Sequence, residues 1–391
     1  MVFEHAKRLD HYKTGIFAAL NEKKDEMIKQ GRKVYNLSVG TPDFAPPEHI
    51  MNALIEAAKD PQNYKYSLCD MPQLLDAVVD YYKSRFGVDD LSPDEVTSVH
   101  GTQEGMGHFG VALTNPGDVV LLPNPGYPAF EAGAYFGESE VYYYPLLEKN
   151  GFLPIMSEIP EDVLCRAKYM VVSYPSNPVC AVAPRSMYEE LIEYAKKYNF
   201  LIVNDNAYSD IAYDGNEGMS FLSIPGAKEV GVEFFSLSKS YNVTGARISF
   251  LVGNKSVVDA LKLMRSQIDF GMFYPVQYAA IAALKGPRDS VIEQRAQYQR
   301  RRDALCGGLR KIGWNVPDSK GTMFAFAHIP ENFSTTAEFC EVLMDKTGVI
   351  CTPGTAFGSL GEGYVRFALV KSVEEINEIV DVIDKSGILK K

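Results

Sequence analysis

Histidine and cysteine are scarce in this 391-residue chain, six of each, and neither type is grouped. The cysteines (Cys69, Cys165, Cys180, Cys306, Cys340, Cys351) include no C-x-x-C pair, and the histidines show no metal-ligand spacing, which removes zinc-site and dithiol-motif readings. Apolar runs are short, and none reaches the ~18 residues that a membrane helix requires. The start, Met1-Val2-Phe3-Glu4-His5, has no signal-peptide pattern, so dispersed thiols lead to the expectation of a reduced, cytoplasmic protein. Positive charge is in deficit as well: 39 Lys and Arg face 50 Asp and Glu, a formal net charge of -11. Such a field repels nucleic acid and anionic membrane, leaving small molecules as the expected partners. The one basic run, Arg300 to Arg302, sits in a helix-like stretch beside Gln299 and Asp303 and reads as a solvated face. There is no internal repeat or low-complexity tract.

Hydrophobic residues make up 46% and charged residues 23%, an ordinary balance for a folded globular protein. The length allows one large domain with a smaller companion. Short apolar runs at Tyr169–Tyr174, Phe200–Val203 and Val232–Phe235 read as strands buried on both faces. Between the first two, Met187, Leu191, Ile192 and Ala195 recur at helical spacing behind Pro184, which completes a β-α-β unit. Val96–Val99 reads as another strand. Strand-like segments recur near Gly321–His328 and Tyr364–Leu369, and a last helix spans about Val373–Lys385. The expectation is an α/β large domain, 45–289, whose mostly parallel sheet is flanked by helices, plus a smaller α+β domain from 1–44 and 290–391.

The strands end in polar residues: Ser176-Asn177-Pro178, Asn204 to Tyr208, and Ser236 to Lys239. In open α/β sheets ligands bind beyond the carboxyl ends of the strands, so these residues should share one crevice. After Val96–Val99 comes Gly101-Thr102-Gln103 at a helix start, where backbone N–H groups can cradle a phosphate. If that phosphate belongs to a cofactor carrying an aromatic ring and an aldehyde, the other residues take natural roles. Lys239 supplies the amine for a Schiff base and can shuttle a proton. Asp205 can keep a pyridine nitrogen protonated, which makes the ring an electron sink. Tyr208 and Asn177 can bond a ring hydroxyl, Ser236 and Arg247 the phosphate, and Tyr127 can stack on the ring. Blander readings stand beside these: a surface lysine, an aspartate helix cap, an Asn-Pro turn, a glycine placed for steric reasons, a tyrosine in the core.

The pattern resembles the class I/II aminotransferase family of fold-type I pyridoxal-phosphate enzymes. The resemblance runs nearly end to end. It is carried by Gly40-Thr41-Pro42-Asp43-Phe44, Asn115-Pro116-Gly117-Asp118, Asn177-Pro178, Asp205 with Tyr208, Ser236 to Lys239 with Gly245-Ala246-Arg247, and Pro353-Gly354 followed by Arg366. It implies pyridoxal 5'-phosphate on Lys239, Arg366 paired with the substrate α-carboxylate, and Gly40 approaching the same substrate. It also implies a homodimer with active sites at the interface, in which Tyr66 reaches the neighbour's phosphate. The sequence departs from the family pattern twice, at Val179-Cys180, where Thr-Gly is usual, and at Asp70-Met71-Pro72 after Tyr66. The activity implied is ping-pong transfer of an amino group from an L-amino acid to a 2-oxo acid. The alternatives are a carbon–sulfur β-lyase on the same scaffold and a non-catalytic regulator. Lys320–Phe326 and Thr14–Phe17 are expected to line the side-chain pocket, and Ile16, Phe17, Met323 and Phe324 favour hydrophobic or aromatic amino acids over dicarboxylates.

Overall fold

Runs of β-branched and aromatic residues, nearly all buried, make strands here because helices can cover both of their faces. The computed structural model describes residues 3–12 and 16–390. Its strands are β1 Tyr35–Asn36, β2 Val96–Val99, β3 Val119–Asn124, β4 Glu140–Pro145, β5 Ala167–Ser173, β6 Leu201–Asn206, β7 Gly231–Ser236, β8 Ser249–Gly253, β9 Phe324–His328, β10 Val349–Ile350, β11 Thr352–Pro353 and β12 Tyr364–Ala368. Seven of them form one sheet in the order β2-β8-β7-β6-β5-β3-β4. Within it β8 runs antiparallel to both neighbours, and the other pairings are parallel. Val119 and Leu121 pack into one buried cluster and Val120 and Leu122 into another, so the two faces of β3 are both covered. A second, antiparallel sheet runs β11-β12-β9, and β1 pairs with β10. No helix among the described residues is long and apolar enough to cross a membrane.

The expected strands all form, within two residues of their anticipated limits at β5 and β7 and with β6 running three residues further, to Asn206; β1, β3, β4, β8, β10 and β11 are additional. The helix after β5 spans Arg185–Tyr198 and buries Met187, Leu191, Ile192 and Ala195. Asn199 stops it in the left-handed region at φ 57°, a conformation asparagine tolerates better than most residues. The last helix, Val373–Lys385, begins at a capping box formed by Ser372 and Glu375, which satisfies its first N–H groups.

The solvated-face reading of Arg300–Arg302 holds only for Arg300, which pairs with Glu293 at 2.8 Å. Arg301 and Arg302 are 7% and 3% exposed. Arg301 forms a two-pronged pair with Asp43, both contacts at 2.7 Å, and Arg302 does the same with Asp214 at 2.7 and 2.8 Å. Successive helical residues point about 100° apart, and the guanidinium fork lets a buried arginine reach a carboxylate on another element.

Both departures from the family pattern have local solutions. Cys180 takes the left-handed conformation itself, φ 59°. The turn closes through Cys180 N to Ser176 O at 2.7 Å and Ser176 N to Ala181 O at 2.9 Å. The Cys180 thiol is buried and pushed up to about 11 by desolvation. In the other segment, Asp70 accepts from Ser98 N at 2.8 Å, and Pro72 opens the helix Pro72–Phe86, where its missing N–H costs nothing.

Candidate active site

The carboxyl ends of β5, β6 and β7 and the loops after β2 and β3 border a cavity of about 470 Å³, with walls that include Gly40, Thr102, Gln103, Tyr127, Asn177, Asp205, Tyr208, Ser236, Lys239, Arg247 and Arg366. These are the anticipated site residues other than Gly101 and Tyr66. Of the expected side-chain pocket, Phe324 lines the cavity. Thr14 and Gly15, with the side chains of Ile16 and Phe17, lie outside the described residues.

At one end is an anion cup. Gly101 (φ 88°) precedes the helix Thr102–Leu113, whose first turn has no side-chain cap, so its leading N–H groups stay available to an anion. A chain of hydroxyls continues from it: Thr102 Oγ1 donates to Ser249 Oγ (3.3 Å), and Ser249 Oγ donates to Ser236 Oγ (2.9 Å). Ser249 and Ser236 face each other in the β8–β7 register. The Arg247 guanidinium lies so close to Gly101 that a Cβ there would sit 2.0 Å from its Nη2. Gly101→Ala therefore has to displace Arg247 and also force a side chain into the left-handed region. The expected result is at least a tenfold loss of affinity for a phosphorylated cofactor, about 1.4 kcal/mol, measured by titrating the stripped protein and following absorbance.

In the middle stands Asp205, 6% exposed. Ser173, its register partner on β5, donates to Oδ2 at 3.5 Å. Oδ1 is buried without a hydrogen-bond partner. Desolvation raises the carboxyl to about 7, Ser173 opposes the rise, and the buried Glu233 adds to it. Tyr127 lies over the cup, its hydroxyl donating to Gln103 Oε1 at 3.4 Å.

Lys239 belongs to a single helical turn, Leu237–Ser240, capped by the Ser236 hydroxyl. Its Nζ donates to Gly40 O at 2.9 Å. Burial, and then the charges of Arg366 and Arg247, lower the amine to about 8, so roughly a tenth is unprotonated at pH 7, far more than for a free lysine. Gly40 has no room for a side chain: a Cβ would meet the Phe324 ring at 2.3 Å.

Arg366, 3% exposed, lies between the rings of Phe324 and Phe357, its Cζ 4.0 and 4.5 Å from their centroids. Nη1 donates to Asn177 Oδ1 at 2.7 Å and Nη2 to Ser38 O at 3.1 Å, while Nε is buried without a partner. Burial lowers the guanidinium to about 10, still charged at neutral pH. Thr352, opposite Arg366 in the β11–β12 register, ties the same corner by donating to Ser38 O at 2.9 Å. Ser38, Thr352, Phe357 and Ser249 were not anticipated. They act through a backbone carbonyl, a register partnership or a ring face, none of which leaves a local sequence signal. Tyr66 stands apart, 75% exposed, its ring 4.9 Å from that of Phe270.

Comparison with known proteins places the chain in a family. The family described as aminotransferase class I and II matches residues 32–383. The chain belongs to that family. Among its relatives are LL-diaminopimelate aminotransferases of Moorella thermoacetica, 40% identical over 379 residues and covering 97% of each chain, and of Dehalococcoides mccartyi, 42% identical over 375 residues, 95% of this chain and 96% of the relative. Substrate-bound BacF from Bacillus subtilis superposes with a TM-score of 0.94 at 34% identity, covering 98% of both chains. A double mutant of Thermus thermophilus aspartate aminotransferase gives 0.92 at 26%, covering 98% of this chain and all of the other. The protein is thus a class I/II transaminase, and transaminases of this fold use pyridoxal phosphate. The cavity fits that cofactor: an anion cup at one end with a tyrosine beside it, a buried carboxylate oxygen lacking a partner, and an amine of lowered proton affinity within the same walls.

Proposed function

We propose that this transaminase moves an amino group from an L-amino acid to a 2-oxo acid in two half-reactions, with Lys239 as both the attachment point of pyridoxal phosphate and the proton carrier. The observation that carries this reading is the lysine amine, lowered to about 8, sharing a cavity with the unpartnered Asp205 oxygen and the buried Arg366. Pyridoxal phosphate, when bound, supplies a conjugated ring that accepts the electron pair left when the substrate Cα–H bond breaks. The chain's own residues do the rest. Thr102, Gln103, Ser236 and Arg247, with the Gly101 turn, would hold the phosphate. Asp205 Oδ1 would keep a proton on the ring nitrogen. Tyr208 and Asn177 would bond the ring hydroxyl, and Tyr127 would stack on the ring.

Arg366 supplies the positive charge that pairs with the α-carboxylate, and Gly40 closes on the same substrate. That clamp turns the Cα–H bond toward Lys239 Nζ. With that cofactor bound, the amine would take the proton from Cα and return it two atoms further along, past the nitrogen, at the former aldehyde carbon, and water would then release the oxo acid. The second half-reaction retraces these steps with a different oxo acid, which gives ping-pong kinetics.

In this reading residues 1–44 and 290–391 form the smaller domain and 45–289 the larger. The exposed Tyr64, Tyr66, Leu68, Ile268, Phe270 and Phe273 form a face that a second copy covers, bringing Tyr66 to the neighbour's phosphate cup. The six cysteines are free, in keeping with a reducing cytoplasm. Val39, Met106, Phe130 and Phe324 in the cavity wall favour hydrophobic or aromatic donors. A second reading, LL-diaminopimelate as donor, rests on the names of the relatives at about 40% identity.

The test is a donor panel containing phenylalanine, tyrosine, leucine, aspartate and LL-diaminopimelate, each with 2-oxoglutarate or pyruvate. Parallel initial-rate lines with an aromatic or aliphatic donor are expected. A strong preference for LL-diaminopimelate selects the second reading. Failure of every donor, or release of pyruvate and ammonia from cystathionine without an oxo acid, overturns both.

A further inference from the structure

Lys239 is gripped at its backbone as well as at its amine. A single helical turn such as Leu237–Ser240 leaves its last carbonyls without partners from its own backbone. The carbonyl of Lys239 finds one in Gln294, whose Nε2 donates to it at 2.7 Å. Gln294 is 5% exposed, and its Oε1 accepts from Asn242 Nδ2 at 2.6 Å. Both ends of the amide are thus committed, one to the residue that carries the amine and the other to the residue just past the turn.

Gln294 sits on the long helix Asp289–Lys311. Seven residues on, about two turns and so on the same face, Arg301 grips Asp43 with both prongs and also donates to Leu369 O at 2.9 Å. Asp43 lies three residues from Gly40, whose carbonyl receives the Lys239 amine. Leu369 lies three residues past Arg366. One helix face therefore fixes three segments of the site relative to one another: the lysine turn, the Gly40 segment and the end of β12.

We infer that Gln294 is a positioning residue, one that sets the height of Lys239 relative to the Arg366 clamp by holding the lysine's own carbonyl. The inference rests on the proton-carrying role proposed for Lys239. Proton transfer is steep in distance, and a displacement near 1 Å costs up to about 10²-fold.

Two variants separate the contacts. Gln294→Met keeps the volume and removes both hydrogen bonds, whereas Gln294→Glu keeps the acceptor toward Asn242 and removes the donor toward Lys239. Gln297→Met is the control, since Gln297 bonds Glu293 on its own helix. Expected for both Gln294 variants are a fall in kcat of about 10- to 100-fold, a KM for the amino donor within about twofold of wild type, and a larger kinetic isotope effect with Cα-deuterated donor. In the stripped proteins, capture of pyridoxal phosphate slows, and amide exchange quickens at Leu237–Asn242 without change in the seven-stranded sheet. A purely structural role would lower Tm and leave the isotope effect and the KM-to-kcat split where they were. Wild-type kcat in Gln294→Glu, or losses no greater than those of Gln297→Met, would overturn the inference. A wild-type protein that captures no pyridoxal phosphate would instead overturn the functional reading beneath it.

Discussion

Lys239→Ala is expected to lower turnover by at least about 10⁴-fold, the upper range for removing a positioned acid–base group. It should also abolish the fixing of pyridoxal phosphate to the chain by borohydride. The fold should survive, because the alanine keeps the helical turn and the bond from Gln294 to its carbonyl is made by the backbone. Cofactor should still bind without a covalent link, held by the cup at Gly101–Gln103 and Arg247. The measurement is mass spectrometry of borohydride-treated protein beside steady-state rates. A labelled peptide from another part of the chain, or turnover near wild type, would reassign the amine. Added primary amines should restore a small part of the rate, because what is missing is a base of moderate strength at one location rather than a shape.

The second large effect is expected at Asp205, with opposite signs for activity and stability. Asp205→Asn replaces a carboxylate by a neutral amide at the ring nitrogen and should lower kcat by roughly 10²–10³-fold, the scale for losing one preorganised electrostatic contact. In the cofactor-free protein the same change should stabilise. The Asp205 carboxyl is raised to about 7 by burial, against about 3.9 in an unfolded chain. A carboxyl that binds its proton more tightly in the native state contributes stability that is complete below about pH 4 and is lost as pH rises through about 7. Wild-type stripped protein therefore loses stability over this window, by an upper limit of roughly 4 kcal/mol, and the asparagine variant does not. Urea midpoints at pH 5 and pH 8 test this. The difference between the two proteins should favour the Asp205→Asn variant at both values and be about two- to threefold larger at pH 8 than at pH 5. Bound cofactor should reverse the order, since only the carboxylate can share a charge with a protonated ring nitrogen. An equal effect of the substitution at both pH values would mean that Asp205 is ionised throughout.

The portion of this architecture legible in the sequence follows from local physics. β5, β6 and β7 are apolar runs that end in polar residues, so both the strands and the convergence of Asn177, Asp205 and Lys239 can be read directly. β3 has an equally apolar run, Val119 to Leu122, but Pro123 directly after it removes a ladder donor and blurs the pattern. β4 is an edge strand rich in tyrosine and only partly buried. β8 is short, and nothing in it says that it lies antiparallel between β2 and β7, a pairing decided by the whole sheet. The buried roles of Arg301 and Arg302 are hidden because a run of like charges on a helix usually faces water. Their partners, Asp43 and Asp214, are 258 and 88 residues away. Cys180 is hidden for another reason: the turn it occupies normally selects glycine, and only the backbone shows that a cysteine carries the left-handed angle.

Arg366 reaches back across 328 positions to the carbonyl of Ser38, and the Lys239 amine across 199 to that of Gly40. If Lys239 and Arg366 have the roles proposed above, a chain still emerging from the ribosome would present its lysine well before the arginine exists to orient a substrate. Vitamin capture and productive turnover would then be separate events in the life of the molecule, and a C-terminally truncated product would hold the vitamin without returning any catalysis.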